Sequence, residues 1–256
     1  MEILREISSA GKCPILLIGL EGWPDAAHAA STAVSYILSR SECVLVYQAD
    51  SDALYNYTVA RPYTEIVDAR VRKLAFPYFK VVKSSLQEKT LLVCHGHEPH
   101  RTWNKLIGEL IEIMERHGVE LVVAFGSMLD DVSEIKVSAV VSTDRDSQLV
   151  RELGVDLVQY SGPCCFYTPL VMCCSQRNIR CICLWAHVPL ADYYEVLSRY
   201  NIVDWRATLA LLEKFTALTE IELDLSEAYH RANEVEFLVR RVKSKDEEAG
   251  FSKYLL

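Results

Sequence analysis

Four stretches of this chain carry residue types that suit chemistry. His95, His97, Glu98 and His100 crowd one short segment, and imidazole with carboxylate suits zinc or iron. His95 and His97 would share a strand face, yet Pro99 splits the set and no distant ligand is marked; polar loop residues fixing a turn are the alternative. Glu21 and Asp25 flank Gly22-Trp23-Pro24 and would make an acid–base pair if one carboxyl were desolvated. Otherwise Asp25 caps a helix, while Glu21 is solvated or pairs with an arginine. Ser127 follows Gly126 at a strand end, and Asp130 or Asp131 with His187 would complete a triad only through a meeting in space. Gly126-Ser127-Met128-Leu129 lacks the second glycine of a nucleophile elbow, and His187 before Pro189 reads as a structural loop histidine. Of the nine cysteines, Cys164, Cys165, Cys173, Cys174, Cys181 and Cys183 bunch late, with no C-x-x-C anywhere. They read as buried small hydrophobes rather than a zinc site or disulfides.

Phosphate-cradling signals are weak. Gly19-x-x-Gly22 is not the dinucleotide fingerprint, and Gly11-Lys12-Cys13 precedes its strand and lacks the Ser or Thr that would hold magnesium. No cofactor and no metal are implied.

These residues need elements to position them. The apolar run Ile15–Leu20 ends in Glu21-Gly-Trp-Pro-Asp25 and leads straight into a small-residue helix with Ala26, Ala29, Ala30, Ala33, Val34, Ile37 and Leu38 on one stripe. That is a strand–turn–helix of a parallel α/β sheet, and open sheets bind ligands at the carboxyl ends of their strands. Further strands are expected at Val44–Ala49, Thr90–Cys94, Glu120–Phe125, Val137–Ser142, Val155–Val158 and Arg180–Trp185. Val71–Lys83 alternates as one or two antiparallel strands broken at Pro77. Helices are expected over Thr102–His117, stopped by Gly118, and over Ser147–Leu153, Tyr167–Gln176, Asp204–Leu218 and Ser226–Val242. The fold class is α/β: a mixed, mostly parallel sheet flanked by helices, with helices at the C-terminus. Residues 1–225 form the core, and residues 226–256 a helical extension and tail of the same domain, with Lys243–Gly250 a solvated stretch.

With 256 residues the chain buries a large single core, and half of it is hydrophobic. The net charge of −8 disfavours nucleic acid and anionic membrane as partners. No early segment reads as a secretory signal, and no apolar run approaches the ~20 residues that span a bilayer. A soluble cytoplasmic protein is expected.

Taken in order, the strand-end loops resemble one family. Glu21-Gly-Trp-x-Asp-Ala26, the Asp-rich segment leading to Arg61-Pro62, and Gly96-x-Glu-Pro before Trp103 come first. Phe125-Gly-Ser-Met-Leu-Asp-Asp-Val132, Tyr160-Ser-Gly-Pro163, Leu184-Trp-Ala-His-Val-Pro189 and Ala207-Thr-Leu-Ala-Leu-Leu212 follow. The series resembles the proteasome assembly chaperone 2 family in its prokaryotic, actinobacterial-type branch, across roughly Ile15–Leu225. The resemblance implies a fold similar to purine nucleoside phosphorylases, a homotrimer, and proteasome-related or other protein subunits as partners. It implies no established reaction, so a non-enzymatic role is expected.

Three departures bear on any ancestral site. Ser133-Glu-Ile-Lys-Val137 replaces the family's Pro-His-Thr-Arg-Pro run, Gly162-Pro-Cys-Cys165 replaces Gly-Pro-Thr-Gly, and Pro189-Leu-Ala-Asp192 replaces Pro-His-Tyr. These loops lack the histidine, arginine or glycine that a shared ligand or phosphate site would want. The chain ends Lys253-Tyr-Leu-Leu256, with tyrosine third from last rather than second, which weakens direct docking into proteasome α-ring pockets. The candidate site is therefore Glu21, Trp23, Asp25, Arg61, Glu98, Asp130 and His187 at one sheet edge. It would bind a small ligand in nucleoside-phosphorylase-like or hydrolase-like fashion. Alternatively, these residues glue loops and subunits, Arg61 bridging carboxylates while Trp23 and Trp103 pack between loops.

Overall fold

The computed structural model describes residues 2–190, 194–199 and 201–253. Tyr254, on which the tail reading rests, lies outside them.

The chain opens with β1 (Leu4–Glu6) and β2 (Ile15–Glu21), then α1 (Ala29–Leu38), β3 (Glu42–Ala49) and the short α2 (Ser51–Leu54). β4 (Tyr63–Val67) and β5 (Arg70–Ala75) form a hairpin; β6 (Phe79–Leu86), β7 (Lys89–His97), α3 (Trp103–His117) and β8 (Leu121–Asp130) follow. The second half holds β9 (Lys136–Val141), α4 (Asp144–Glu152), β10 (Asp156–Leu157), α5 (Tyr167–Gln176) and β11 (Arg180–Pro189). α6 (Glu195–Arg199), α7 (Trp205–Thr219) and α8 (Ser226–Lys253) complete the described chain.

Nine strands make one sheet in the order β1-β3-β6-β7-β2-β8-β11-β9-β10, while β4 and β5 pair only with each other. The central run β7-β2-β8-β11 is parallel, as is β9-β10. The other four pairings are antiparallel. The sheet is therefore evenly mixed, not mostly parallel. β3 and β6 enter as antiparallel neighbours because β6 and β7 are joined by a tight hairpin, which permits no crossover.

Strand alternation sorts the core into two layers. Leu16, Ile18, Cys94, Val122, Ala124 and Cys183 face α3 and α5, where Leu106, Leu110, Met114 and Leu170 meet them. Leu17, Val93, Val123, Phe125 and Leu184 face α1 and α7, against Ala30, Val34, Leu211 and Phe215. Each fully buried large apolar side chain contributes about 1.5–3 kcal/mol. α1 lies close on β2 because Gly19 sits beneath it; a Cβ there would come within 2.4 Å of Val34 Cγ2. α8 closes the second layer with buried Ala228, and its Val235 and Val239 form a separate small cluster with Leu197 of α6. Arg206 ties α7 to it, meeting Asp204 at 2.7 Å and Glu236 at 2.9 Å.

Several elements run longer than the apolar pattern predicts. β7 extends through His97, β8 through Asp130 and β11 through Pro189, so His95, His97, Ser127, Asp130 and His187 stand on strands rather than in loops. The parallel neighbours keep these polar ends in register, a tertiary effect that periodicity cannot carry. All nine cysteines are free thiols; Cys165, Cys174, Cys181 and Cys183 are buried as expected. Cys164 is exposed in the loop before α5, and Cys173 is half-buried at the margin of the first core layer.

Candidate functional site at the carboxyl ends of the strands

The turn after β2 builds the first cluster. Asp25 is buried, yet it is not the residue that caps α1. A single 3₁₀ turn, Ala26–His28, intervenes, with Ala27 and His28 in the left-handed region. Asp25 reaches past it: its carboxylate accepts from the Ser31 N–H at 3.0 Å and the Ser31 hydroxyl at 2.6 Å. It thus satisfies an orphan donor of the helix start from outside. His28 Nδ1 stands 3.6 Å away, and its hydrogen bond to Asp25 raises its pKa against the opposing effect of partial burial. Ser127 closes this turn onto β8, donating its hydroxyl to the Ala26 carbonyl and its N–H to that of Pro24. Fully buried and so engaged, it is a brace rather than a nucleophile.

Beside it, where β7 ends, lies the second cluster. Glu21 Oε2 meets His97 Nε2 at 3.2 Å with both side chains partly open to solvent. Tyr55 donates its hydroxyl to the His97 carbonyl at 2.8 Å, and Tyr78 stacks edge-on against both His95 and His97. Burial, with the Lys80 charge adding to it, pushes the His95 imidazole down to about 4, so it is neutral. His97 Nδ1 is buried and has no partner among the described residues. Glu98 turns away from this pair: Oε1 accepts from the Phe166 N–H at 2.8 Å, and the nearby Trp23 backbone N–H also favours its charged form. Burial raises its pKa and outweighs those two donors. His100 accepts from the Asn56 N–H. His97, Glu98 and His100 therefore turn to different partners, Glu21, Phe166 and Asn56, while Tyr78 spans His95 and His97 across Gly96 at φ +131°. Among the described residues no group of three or more His, Cys, Asp or Glu is placed to hold a metal ion.

β8, β9 and β11 build the third cluster. Asp130 Oδ2 lies 2.7 Å from His187 Nδ1, and His187 Nε2 lies 2.6 Å from Ser138 Oγ. The hydrogen bond from His187 holds the Asp130 carboxyl below its usual range, so it is an acceptor-only carboxylate. Nδ1–H is then the donor to Asp130, while Nε2 shares a hydrogen bond with the Ser138 hydroxyl. The order Asp–His–Ser is that of a serine-hydrolase relay. However, Ser138 is only 4% exposed and sits inside the sheet, paired with Trp185 on one side and Asp156 on the other. No substrate carbonyl reaches it there. The relay pins three strands together. Ser138 was missed in the sequence; its one signal is a hydroxyl inside the apolar run Lys136–Val141.

The seven predicted residues are thus distributed. Glu21, Glu98 and the Trp23 backbone share one neighbourhood, Asp130 and His187 another, and Asp25 is walled in by its own helix. Glu98, just past β7, and His187, on β11, are three strand steps apart, about 14 Å at ~4.8 Å per step. The Trp23 side chain is 61% exposed. Arg61 is exposed at the base of the β4–β5 hairpin and makes no ion pair among the described residues, so it bridges no carboxylates within the chain.

The architecture matches known structures along nearly its whole length. A proteasome-assembly chaperone homologue from Mycobacterium tuberculosis superposes with a TM-score of 0.77 at 23% identity, covering 90% of this chain and 94% of that one. A PAC2 family protein from Streptomyces avermitilis gives 0.75 at 27% identity, covering 89% and 95%. An archaeal proteasome activator from Pyrococcus furiosus gives 0.69 at 16% identity, covering 95% and 100%, a likeness of fold alone. No curated protein matches the chain. Among the described residues no helix is long and apolar enough to cross a membrane. The PAC2 family model matches residues 19–243, and the chain belongs to that family.

Proposed function

We propose that this chain is a non-enzymatic, protein-binding member of its family, acting as an assembly-chaperone-like homotrimer whose partners are proteasome-related or other protein subunits. Residues 226–256 belong to the same domain as the core. The observation that carries the reading is the state of the strand-end edge. Asp25, Asp130 and His187 are committed to neighbours in their own chain, whereas the large apolar Trp23 and Leu190 face solvent there. Satisfied polar groups beside exposed apolar ones suit a protein contact better than a reaction site. Relatives described as a proteasome-assembly chaperone homologue and a proteasome activator point the same way. Native mass spectrometry of the purified chain, with affinity capture from its own lysate, tests this. A monomer that retains no protein would sink it.

One feature favours a small-ligand site of nucleoside-phosphorylase-like or hydrolase-like type: a raised Glu98 carboxyl follows directly in the chain on His97, whose Nδ1 is buried without a partner among the described residues. A panel of nucleosides and phosphate, scored by thermal shift, decides it. A ligand bound only by the native state at a hundred times its Kd adds about 2.7 kcal/mol. No shift across the panel removes this reading.

A further inference from the structure

Among the described residues the β4–β5 hairpin packs broadly on no other element; only Phe76, just beyond β5, meets the Tyr57 ring. Every residue of both strands is exposed. Six of the fifteen exposed large hydrophobics lie here: Tyr63, Ile66, Val67, Val71, Leu74 and Phe76. Among the described residues its side-chain hydrogen bonds stay inside the hairpin, from Tyr63 and Lys73 to Glu65 and from Thr64 to the Lys73 carbonyl. Its turn is Asp68-Ala69 with both residues at positive φ, a conformation that alanine adopts at a cost. A two-stranded ribbon alone in water is marginal. A ribbon this apolar therefore needs a partner that is always present.

Charge selects the partner. Residues 59–76 carry Arg61, Arg70, Arg72 and Lys73 against Glu65 and Asp68, a net +2 within a chain of −8, which leaves −10 elsewhere. Arg61, Arg70 and Arg72 have no ion pair among the described residues. At the far flank of the same sheet edge, the segment after β8 exposes Asp131 and Glu134, next to exposed Leu190 beyond β11. The ribbon springs from β6, three strands away from β8, and does not fold over its own rim. A basic apolar arm on one flank and an acidic apolar rim on the other make a head-to-tail contact that closes into a ring.

We propose that the β4–β5 ribbon is an assembly arm that docks on the Asp131–Glu134 rim of a second copy of this chain. The inference rests on the self-association part of the reading above and on no other partner. The test is size-exclusion chromatography with light scattering, plus native mass spectrometry, on the full chain at micromolar concentration. The wild type is expected to be a closed oligomer. Arg70→Glu/Arg72→Glu and, separately, Ile66→Ser/Val71→Ser are expected to weaken assembly about tenfold or more. Because all four side chains are exposed, the thermal midpoint of any dissociated subunit still reports a folded core. Adding Asp131→Lys/Glu134→Lys to the first variant is expected to restore the oligomer. A monomeric wild type overturns both the homotrimer and the arm. An oligomer that neither variant weakens overturns the arm alone, and failure of the charge swap to rescue overturns the rim as its dock.

Discussion

The two flanks of the strand-end edge are built on opposite terms. On the β8-β11-β9 side, every polar atom of Asp130, His187 and Ser138 used in the relay has a partner, and the serine is sealed in the sheet. On the β7-β2 side, His97 keeps one ring nitrogen unpartnered, Glu98 is held against its charge, and Glu21 stays partly open. The difference is one of backbone. The first flank is regular strand up to its last residue, so side chains on neighbouring strands meet at fixed spacing. The second keeps its strand pairing to His97 but passes Gly96 at positive φ, and beyond that break in the extended conformation Glu98 and His100 turn to different partners. A complete polar network rigidifies its surroundings, whereas an incomplete one leaves groups available to a visitor.

The largest effect should come from removing that break. A Cβ on Gly96 would lie 1.9 Å from the Tyr78 carbonyl oxygen, at a φ of +131° that side chains rarely adopt. Gly96→Ala is expected to lower the unfolding free energy by about 3 kcal/mol or more, read from urea denaturation. A loss under about 1 kcal/mol would mean that the β7 end relaxes freely and the two flanks differ less than argued. Next comes the closed flank. His187→Ala strands the buried Ser138 hydroxyl and is expected to cost about 2 kcal/mol; Ser138→Ala added to it should restore part of that, since the orphaned group is gone.

Acid separates the flanks by sign. The His187 hydrogen bond depresses the Asp130 pKa, so its contribution is present above the unfolded carboxyl value of about 4 and lost as pH falls through the lower folded one. Burial raises the Glu98 pKa, so its contribution is present at pH below about 4 and lost as pH rises through the folded value. Glu98→Gln mimics the protonated acid. It is expected to match the wild type near pH 4 and to gain on it as pH approaches 7, whereas the His187 variant should lose its pH slope at the acid end. Denaturation midpoints at the two pH values check both, and a Glu98→Gln difference that stays constant with pH removes the strained-carboxylate account.

The sequence made the central strands legible because they are continuous apolar runs, and α3 because its stripe is unbroken up to Gly118. It placed the turn residues at the right edge. What it misread came from tertiary causes. Gly126-Ser127, which lacks the second glycine of a nucleophile elbow, offered no reason for its glycine; the Trp185 ring lies over it, where a Cβ would come within 2.6 Å. Asp25 satisfies α1 across an extra turn, not from the capping position, and no local spacing encodes that. β4 was missed because its residues are not buried on either face, so alternation had nothing to report.

The smallest stability effect carries the most about function. The Trp23 side chain is 61% exposed at the junction of the two flanks, while its backbone N–H serves Glu98. Trp23→Ala removes the indole and keeps that N–H, so the unfolding free energy should change by no more than about 0.5 kcal/mol. Exposed tryptophans that stabilise nothing in their own chain are typical anchors of a contact with another. Capture of a protein partner should then fall sharply with the fold, the oligomer and both pH slopes untouched. Undiminished capture would move the contact off this edge, leaving Trp23 as one more surface aromatic.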